Sequence, residues 1–496
     1  MPNIATWLKD RAASDPDRPA VKQGDTVLTY AALDDASSRA AARLAEMGIG
    51  PGDHVALTMP NVAYFPVVYY GILRLGAVVV PMNPLLKGRE VAYTWTDADA
   101  KAAVVFAMFA EAAQEAASET GTPVWVVTPG EFEKELGGLE PRSEVVDRDG
   151  SDTAIIFYTS GTTGRPKGAE LSHDNILTNV RTTVETLFDI GTEDVIFGGL
   201  PLFHSFGQTC SMNAGVAGGA CLDLLPRFDG AEALRMIAED RVTLFMGVPT
   251  MYMGPLAAAG KGGDHDTSTL RLGASGGASL PVEVLNGVQQ ALNFKLLEGY
   301  GLSETSPVAT FNHPDRPAKP GSIGTPIRGL EVKLVNADGN EVHETDTVGE
   351  IWIRGENVMK GYWGKPEETA EAIDADGWFR TGDLATRDDE GYYFIVDRKK
   401  DMIIRNAFNV YPREIEEVLY THPAVAEAAV IGIPDEQVGE EIAAVVTLKE
   451  GAEATEQELI DFAKGQLAAY KYPRKLKFGT LPKGPTGKIL KREIDF

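Results

Sequence analysis

The sequence predicts an α/β protein with a large multi-sheet N-terminal domain that carries a β-rich subdomain, followed by a small mobile α/β C-terminal domain. Three observations carry the prediction. Helical patterns alternate with short β-rich runs through the first third of the chain. From Gly329 to Arg354 the pattern changes to short strands and turns, including Asp338-Gly339. The charged run Asp397, Arg398, Lys399, Lys400, Asp401 then separates all that precedes it from a final stretch with its own helices and strands.

In chain order, a helix is expected from Leu33 to Met47, a strand from Val55 to Met59, a helix before Gly76 and a strand from Ala77 to Pro81. The rhythm recurs at Ala102 to Phe106, Pro123 to Val127, Ala154 to Tyr158 and Leu244 to Gly247, each run followed by polar or glycine-rich residues. Loops at the carboxyl ends of parallel strands are where ligands bind in such sheets. After the strand-like Tyr392 to Val396 the chain turns helical near Tyr411, which divides it into domains 1–397 and 398–496. The tail from 471 to 496 is basic, with Lys471, Arg474, Lys475, Lys477, Lys483, Lys488, Lys491 and Arg492 against Glu493 and Asp495. For most of these, a solvated face competes evenly with a binding role.

A chain of 496 residues exceeds what one hydrophobic core serves. Its 72 acidic and 46 basic residues leave a charge of −26, which repels nucleic acid and anionic membrane. Cys210 and Cys221 have no metal-ligand spacing, and Cys210 reads as a packing residue; so few cysteines suit a reducing cytosol. Met1 to Asp10 lacks the apolar core of a signal peptide, and no window approaches the roughly 18 to 20 apolar residues of a membrane span. A soluble cytoplasmic protein is expected.

The apolar run Ala154, Ile155, Ile156, Phe157 leads into Tyr158, Thr159, Ser160, Gly161, Thr162, Thr163, Gly164, Arg165, Pro166, Lys167, Gly168. Glycines let backbone N–H groups face an anion, hydroxyls add rotating donors, and Lys167 adds compact positive charge, so the loop suits phosphate. It is not a Walker A loop, because Lys167 stands between Pro166 and Gly168 rather than between glycine and a hydroxyl residue. Further along, Gly299, Tyr300, Gly301, Leu302, Ser303, Glu304, Thr305 offers close backbone approach, a stacking ring and a hard oxygen suited to Mg²⁺. Asp383, in Arg380, Thr381, Gly382, Asp383, has the geometry to accept two hydrogen bonds from adjacent hydroxyls, although a lone turn aspartate is more often a turn former. His204, between Leu202, Phe203 and Ser205, Phe206, is on general grounds a satisfied core residue. Lys488 closes the stiff turn Pro485, Thr486, Gly487, Lys488.

Together, in this order and spacing, these segments closely resemble the acyl- and aryl-CoA synthetases of the adenylate-forming superfamily over nearly the whole chain. The resemblance implies attack of a carboxylic acid on ATP to give acyl-AMP and pyrophosphate, then thioester formation with coenzyme A. It implies that the loop from Thr159 through Ser160, Gly161, Thr162, Thr163 and Gly164 to Lys167 binds nucleotide. It places Tyr300 on adenine, Glu298 and Gly299 along the adenine edge, Ser303 at the α-phosphate, and Asp383 and Arg398 at the ribose. Gly301, Gly277 and Ala278 complete the nucleotide site; Glu304, helped by Thr159, holds Mg²⁺. His204 and Phe206 face Gly276 and Gly277 across the acyl pocket. Lys488 reaches the α-phosphate and the acid, and rotation about Lys400 then presents Asn406, Ala407 and Phe408 to coenzyme A.

One departure stands out, since most such ligases carry two glycines where this chain has Asn406 and Ala407. If the backbone there takes positive φ, asparagine tolerates it, whereas alanine costs roughly 1 to 2 kcal/mol. Adenylation is expected intact, with thioester formation weakened or redirected. The residues from Ser205 to Ala220 and from Leu272 to Leu280 supply few charges, which fits an uncharged tail better than a dicarboxylate; Arg227 and Arg235 read as surface residues. Residues 202–213 look most like bacterial medium- to long-chain fatty acyl-CoA ligases. Behind a fatty acid stand an aromatic acid and malonate as substrate, a separate carrier protein as acceptor, and a nucleotide-binding pseudoenzyme.

Overall fold

The computed structural model describes residues 2–159, 165–260, 262, 265–406, 408–435, 437–484 and 487–496. Two parallel-rich sheets form the body. One has nine strands in the order Thr325–Pro326, Val308–Phe311, Lys295–Gly301, Leu272–Ser275, Leu244–Gly247, Val195–Gly198, Cys221–Leu224, Pro19–Gln23, Thr26–Thr29. The other has seven, in the order Gly361–Tyr362, Lys167–Ser172, Thr153–Thr159, Val78–Met82, His54–Thr58, Ala100–Phe106, Val124–Val127. His54–Thr58 and Val78–Met82 are buried along their whole length, as strands of parallel sheets covered on both faces must be.

The expected elements are present, with ends displaced by a few residues: helices Tyr30–Glu46 and Tyr64–Arg74, and all the early strands. Thr29 caps the first helix by accepting the Ala32 N–H at 3.2 Å. The β-rich stretch forms an antiparallel sheet of Leu330–Val335, Gly349–Gly355, Phe379–Arg387 and Tyr393–Arg398. Arg398 therefore ends a strand whose partner at that register is Asp383.

Beyond it a separate core forms around Ile403, Ile415, Leu419, Val430, Ile442, Ala444 and Val446. Strands Val425–Asp435 and Gly439–Leu448 pair antiparallel, with a register shift between Val425 and Glu427 that puts Val425, Ala428 and Val430 on one face despite their spacing. Ala429 and Val445 face the other way, onto Leu481. This small sheet is thus covered on both sides, by helices on one and by the tail on the other.

The basic tail is largely neutralised within this small module. Lys471 pairs with Glu414 at 2.8 Å, Lys483 with Glu427 at 2.6 Å and Lys491 with Glu416 at 2.7 Å. Among the described residues Lys488 makes no ion pair.

Candidate active site

Three neighbouring parallel strands of the large sheet, Leu244–Gly247, Leu272–Ser275 and Lys295–Gly301, end on the same side. The continuations of the first two supply Val248, Gly276, Gly277 and Ala278, and the end of the third supplies Tyr300. The seven-stranded sheet delivers Thr159 to the same place, where its hydroxyl donates to Glu304 Oε1 at 3.2 Å. A cavity of about 1500 Å³ opens between the sheets and the small module, lined by Thr159, Lys167, His204, Gly276, Tyr300, Ser303, Glu304, Asp383, Arg398, Lys400 and Lys488 among others. Most of the sequence-predicted side chains therefore converge. Ser160 to Gly164, Ala407, Pro485 and Thr486 lie outside the described residues.

The close packing behind this loop explains its glycines. A Cβ on Gly301 would sit 1.8 Å from the Pro307 carbonyl oxygen, so the strand can turn over residues 302–305 only with glycine there. Tyr300 donates its hydroxyl to Asp383 Oδ2 at 2.6 Å, and Arg398 Nε lies 3.2 Å from Asp383 Oδ1. Ser303 shares a hydrogen bond with Ser205 at 3.1 Å. Glu304 is 8% exposed, and burial raises its pKa.

Tyr362, which sequence reasoning missed, donates to the same Glu304 oxygen at 3.1 Å, and its ring lies under the Lys167 ammonium at 5.1 Å. A tyrosine between Gly361 and Trp363 carries no local signal for this; only the pairing of Gly361–Tyr362 with Lys167–Ser172 brings it there.

His204 Nδ1 accepts the Phe206 N–H at 3.3 Å, which leaves the proton of the neutral ring on Nε2. Burial, with Lys488 nearby, pushes its pKa down to about 4, so the imidazole is uncharged near neutrality. Lys488 itself is pushed down to about 8, first by burial and then by Arg398 and Lys400. Gly487, at φ +77°, is the pivot that aims it: the Gly487 carbonyl accepts the Thr250 hydroxyl at 3.4 Å across the two modules, and a Cβ there would lie 2.6 Å from that hydroxyl.

A second hollow of about 260 Å³, between the modules, is lined by Gly277, Ala278, Glu298, Gly299, Tyr300, Asp383 and Arg398. Glu298 is buried. Its Oε1 accepts the Leu280 N–H at 3.0 Å while Oε2 has no partner among the described residues, and burial pushes its pKa up to about 7.

Phe188, Leu200, Phe203, Phe206, Val308 and Phe311 contribute apolar side chains to the cavity lining. Phe188 and Phe311 meet edge to face with ring centroids 5.3 Å apart. Arg235 is engaged with Glu232, Glu239 and Asp240 and lines neither hollow, nor does Arg227. Cys210 is buried at the cavity wall, its thiol pushed up to about 12 by burial, which fits packing.

Asn406 and Phe408 line neither hollow. Asn406 has φ +50°, a left-handed conformation that asparagine tolerates. Phe408 is 54% exposed and stacks on Tyr470 at 4.7 Å.

A large domain and a small one that together enclose a hydroxyl–carboxylate centre, a neutral histidine and the Lys488 ammonium define a two-domain nucleotide-dependent ligase. The comparisons agree: the AMP-binding enzyme family matches residues 8–363 and the AMP-binding enzyme C-terminal domain matches 414–488. A long-chain-fatty-acid–CoA ligase of Bacillus subtilis is 37% identical, covering 100% of this chain and 94% of its own length. A feruloyl-CoA synthase of an Amycolatopsis species is 38% identical, covering 99% and 98%. Among solved structures, ATP-bound MatB from Rhodopseudomonas palustris superposes with TM-score 0.91 at 33% identity, covering 99% of this chain and 97% of that one; its apo form, at the same identity and coverage, gives 0.81. The chain belongs to the adenylate-forming acyl-CoA synthetases, AMP-forming ligases that use ATP. Among the described residues no helix is long and apolar enough to cross a membrane.

Proposed function

We propose that this enzyme is a medium- to long-chain fatty acid:CoA ligase of the cytosol, with domains 1–397 and 398–496. One observation supports the reading: Lys488 of the small domain lines a cavity that the apolar side chains of Phe188, Leu200, Phe203, Phe206, Val308 and Phe311 also line. A dicarboxylate would have to leave its second charge among them without a partner, which is costly. The two cysteines, both free, suit a reducing compartment.

In the first step the acid's carboxylate lies near His204, whose neutral ring offers an N–H without adding charge. Attack of one anion on another needs positive charge at the α-phosphate, and Lys488 supplies it. Tyr300 and Asp383 hold adenine and ribose. Asp383 keeps acceptor capacity beside its bonds to Tyr300 and Arg398, since an ionised carboxylate has about four lone-pair sites. The hollow above Glu298 suits a purine.

Glu304 fits Mg²⁺: two hydroxyls occupy one carboxylate oxygen, and the other has no side-chain partner among the described residues. One carboxylate with substrate phosphates is how this ion is usually held. When bound, it would neutralise charge on the triphosphate.

The superposition favouring the ATP-bound relative over its apo form supports an adenylation arrangement, with Lys488 inside and Phe408 outside. After pyrophosphate leaves, the small domain turns about the exposed Lys400 and brings Asn406, Ala407 and Phe408 to the adenylate. Replacing Asn406 and Ala407 together by glycine should leave adenylation unchanged. It should speed thioester formation by about fivefold to thirtyfold, the rate equivalent of the roughly 1 to 2 kcal/mol that a Cβ costs where backbone is left-handed. Separate measurement of adenylate and thioester would check it, and an unaltered second step would count against the idea.

A second reading, an aromatic acid bearing a hydroxyl or alkoxyl group, draws on Ser275. Ser275 is 1% exposed at the cavity wall, and its hydroxyl has no partner among the described residues. ATP–pyrophosphate exchange with alkanoic acids of increasing length and with hydroxylated aryl acids separates the two. Stimulation by the alkanoic series supports the first, stimulation confined to aryl acids overturns it, and exchange with no acid would sink both.

A further inference from the structure

Asp97 lies at the C-terminal end of helix Gly88–Asp97, where a carboxylate opposes the helix dipole. Its two oxygens are nevertheless both engaged, with partners from distant parts of the chain. Tyr158 donates its hydroxyl to Oδ2 at 2.8 Å, and Lys365 donates to Oδ1 at 2.7 Å. One turn earlier on the same helix, Tyr93 donates to the Pro166 carbonyl at 3.0 Å, and the Arg165 guanidinium lies over its ring at 5.8 Å. This helix thus grips the strand immediately before Thr159 and the residues immediately before Lys167.

Lys365 extends the grip. It follows Tyr362 in a turn closed by the Lys365 N–H to the Tyr362 carbonyl at 3.0 Å, and Tyr362 is the residue that holds Glu304 and underlies Lys167. Thr159 and Lys167 are themselves register partners across two antiparallel strands. One half-buried carboxylate is therefore tied to three of the groups predicted to meet the triphosphate or its metal, namely Thr159 through Tyr158, and Lys167 and Glu304 through Lys365 and Tyr362. A charged acceptor serving a phenol and an ammonium makes stronger hydrogen bonds than neutral groups would.

We propose that Asp97, with Tyr158, Lys365 and Tyr93, is a positioning node that sets the distance between Lys167 and the Thr159–Glu304 pair, and thereby selects for the triphosphate of ATP. It touches no substrate. The proposal rests on the adenylation reading above, and its consequences fall on one substrate only. In the intact enzyme Asp97→Ala is expected to raise the KM for ATP by about tenfold to a hundredfold. The KM for the acid, and thioester formation from supplied acyl-AMP, should stay within about twofold, because neither uses the triphosphate cradle. Binding of MgATP measured by calorimetry should weaken in parallel, and Tyr158→Phe should reproduce part of the effect without removing the ion pair. Asp97→Asn, which keeps the acceptor for Tyr158, should fall between wild type and Asp97→Ala.

An unchanged KM for ATP in Asp97→Ala would overturn the proposal. So would equal losses for ATP, acid and acyl-AMP, which mark a general loss of structure. If Asp97→Ala fails to fold, Tyr158→Phe and Tyr93→Phe decide on the same readout. Failure of the wild-type enzyme to exchange pyrophosphate with any acid would instead refute the underlying functional reading.

Discussion

Replacing Lys488 by alanine should lower acid-dependent ATP–pyrophosphate exchange by about 10²- to 10³-fold, the scale of losing one preorganised charge partner at a transition state. Thioester formation from supplied acyl-AMP should be spared, since the proposed rotation takes Lys488 out of the cavity before that step. The pH dependence follows from the same group. With its pKa pushed down to about 8 in the free enzyme, Lys488 is charged below that pH and loses its proton as pH rises through it. The kcat/KM for exchange should therefore fall above about pH 8, and Lys488→Arg should extend the plateau upward, because a guanidinium stays protonated. Equal losses in both half-reactions, or a profile flat through pH 9 to 10, would contradict the assignment (roughly two units beyond the shifted value).

The second large effect is expected at Glu304, where function and stability should move apart. Glu304→Gln keeps an oxygen to accept the Thr159 and Tyr362 hydroxyls and removes a charge from a buried place. Burial raises the pKa of Glu304, so folding favours its protonated form and the ionised form costs stability above the folded pKa. In the absence of nucleotide the variant should thus unfold at the same temperature as wild type or higher near neutrality. The gain should shrink as pH falls and the native carboxyl takes up its proton. Exchange should nonetheless drop about 10²-fold or more, because an amide does not replace a carboxylate toward Mg²⁺. Thermal unfolding without ligand, together with exchange at saturating Mg²⁺, reads both. A variant that is less stable but still active would reverse the interpretation.

Much of the site was legible before any coordinates. The carboxyl ends of Thr153–Thr159, Leu272–Ser275 and Lys295–Gly301 are marked by apolar runs that stop at glycine and hydroxyl residues, and that is a local signal. Glycine at 301 was visible too, although the reason for it, the Pro307 carbonyl, was not. The basic tail was ambiguous in a way that charge counting could not resolve. Lys471, Lys483 and Lys491 look like Lys488 in sequence, yet each meets a glutamate of helix Pro412–Tyr420 or of the neighbouring strand. The distinction depends on which face of the small sheet the tail covers. The positive φ of Asn406 was foreseen as a condition and is present, whereas its neighbour Ala407 lies outside the described residues.

By itself the sequence determined the alternation of helices and strands and the residue types that can hold a phosphate, a ribose and a metal. These depend on periodicity and on backbone preferences acting over a few neighbours. Tertiary structure alone decided that Thr159 meets Glu304 across 145 residues, that Tyr300 meets Asp383 across 83, that Tyr362 meets Glu304 and that Tyr158 meets Asp97. Such pairings are set by the order of strands in two sheets and by the seating of one domain on the other. Those arise from the burial of whole surfaces, to which no single segment holds the key.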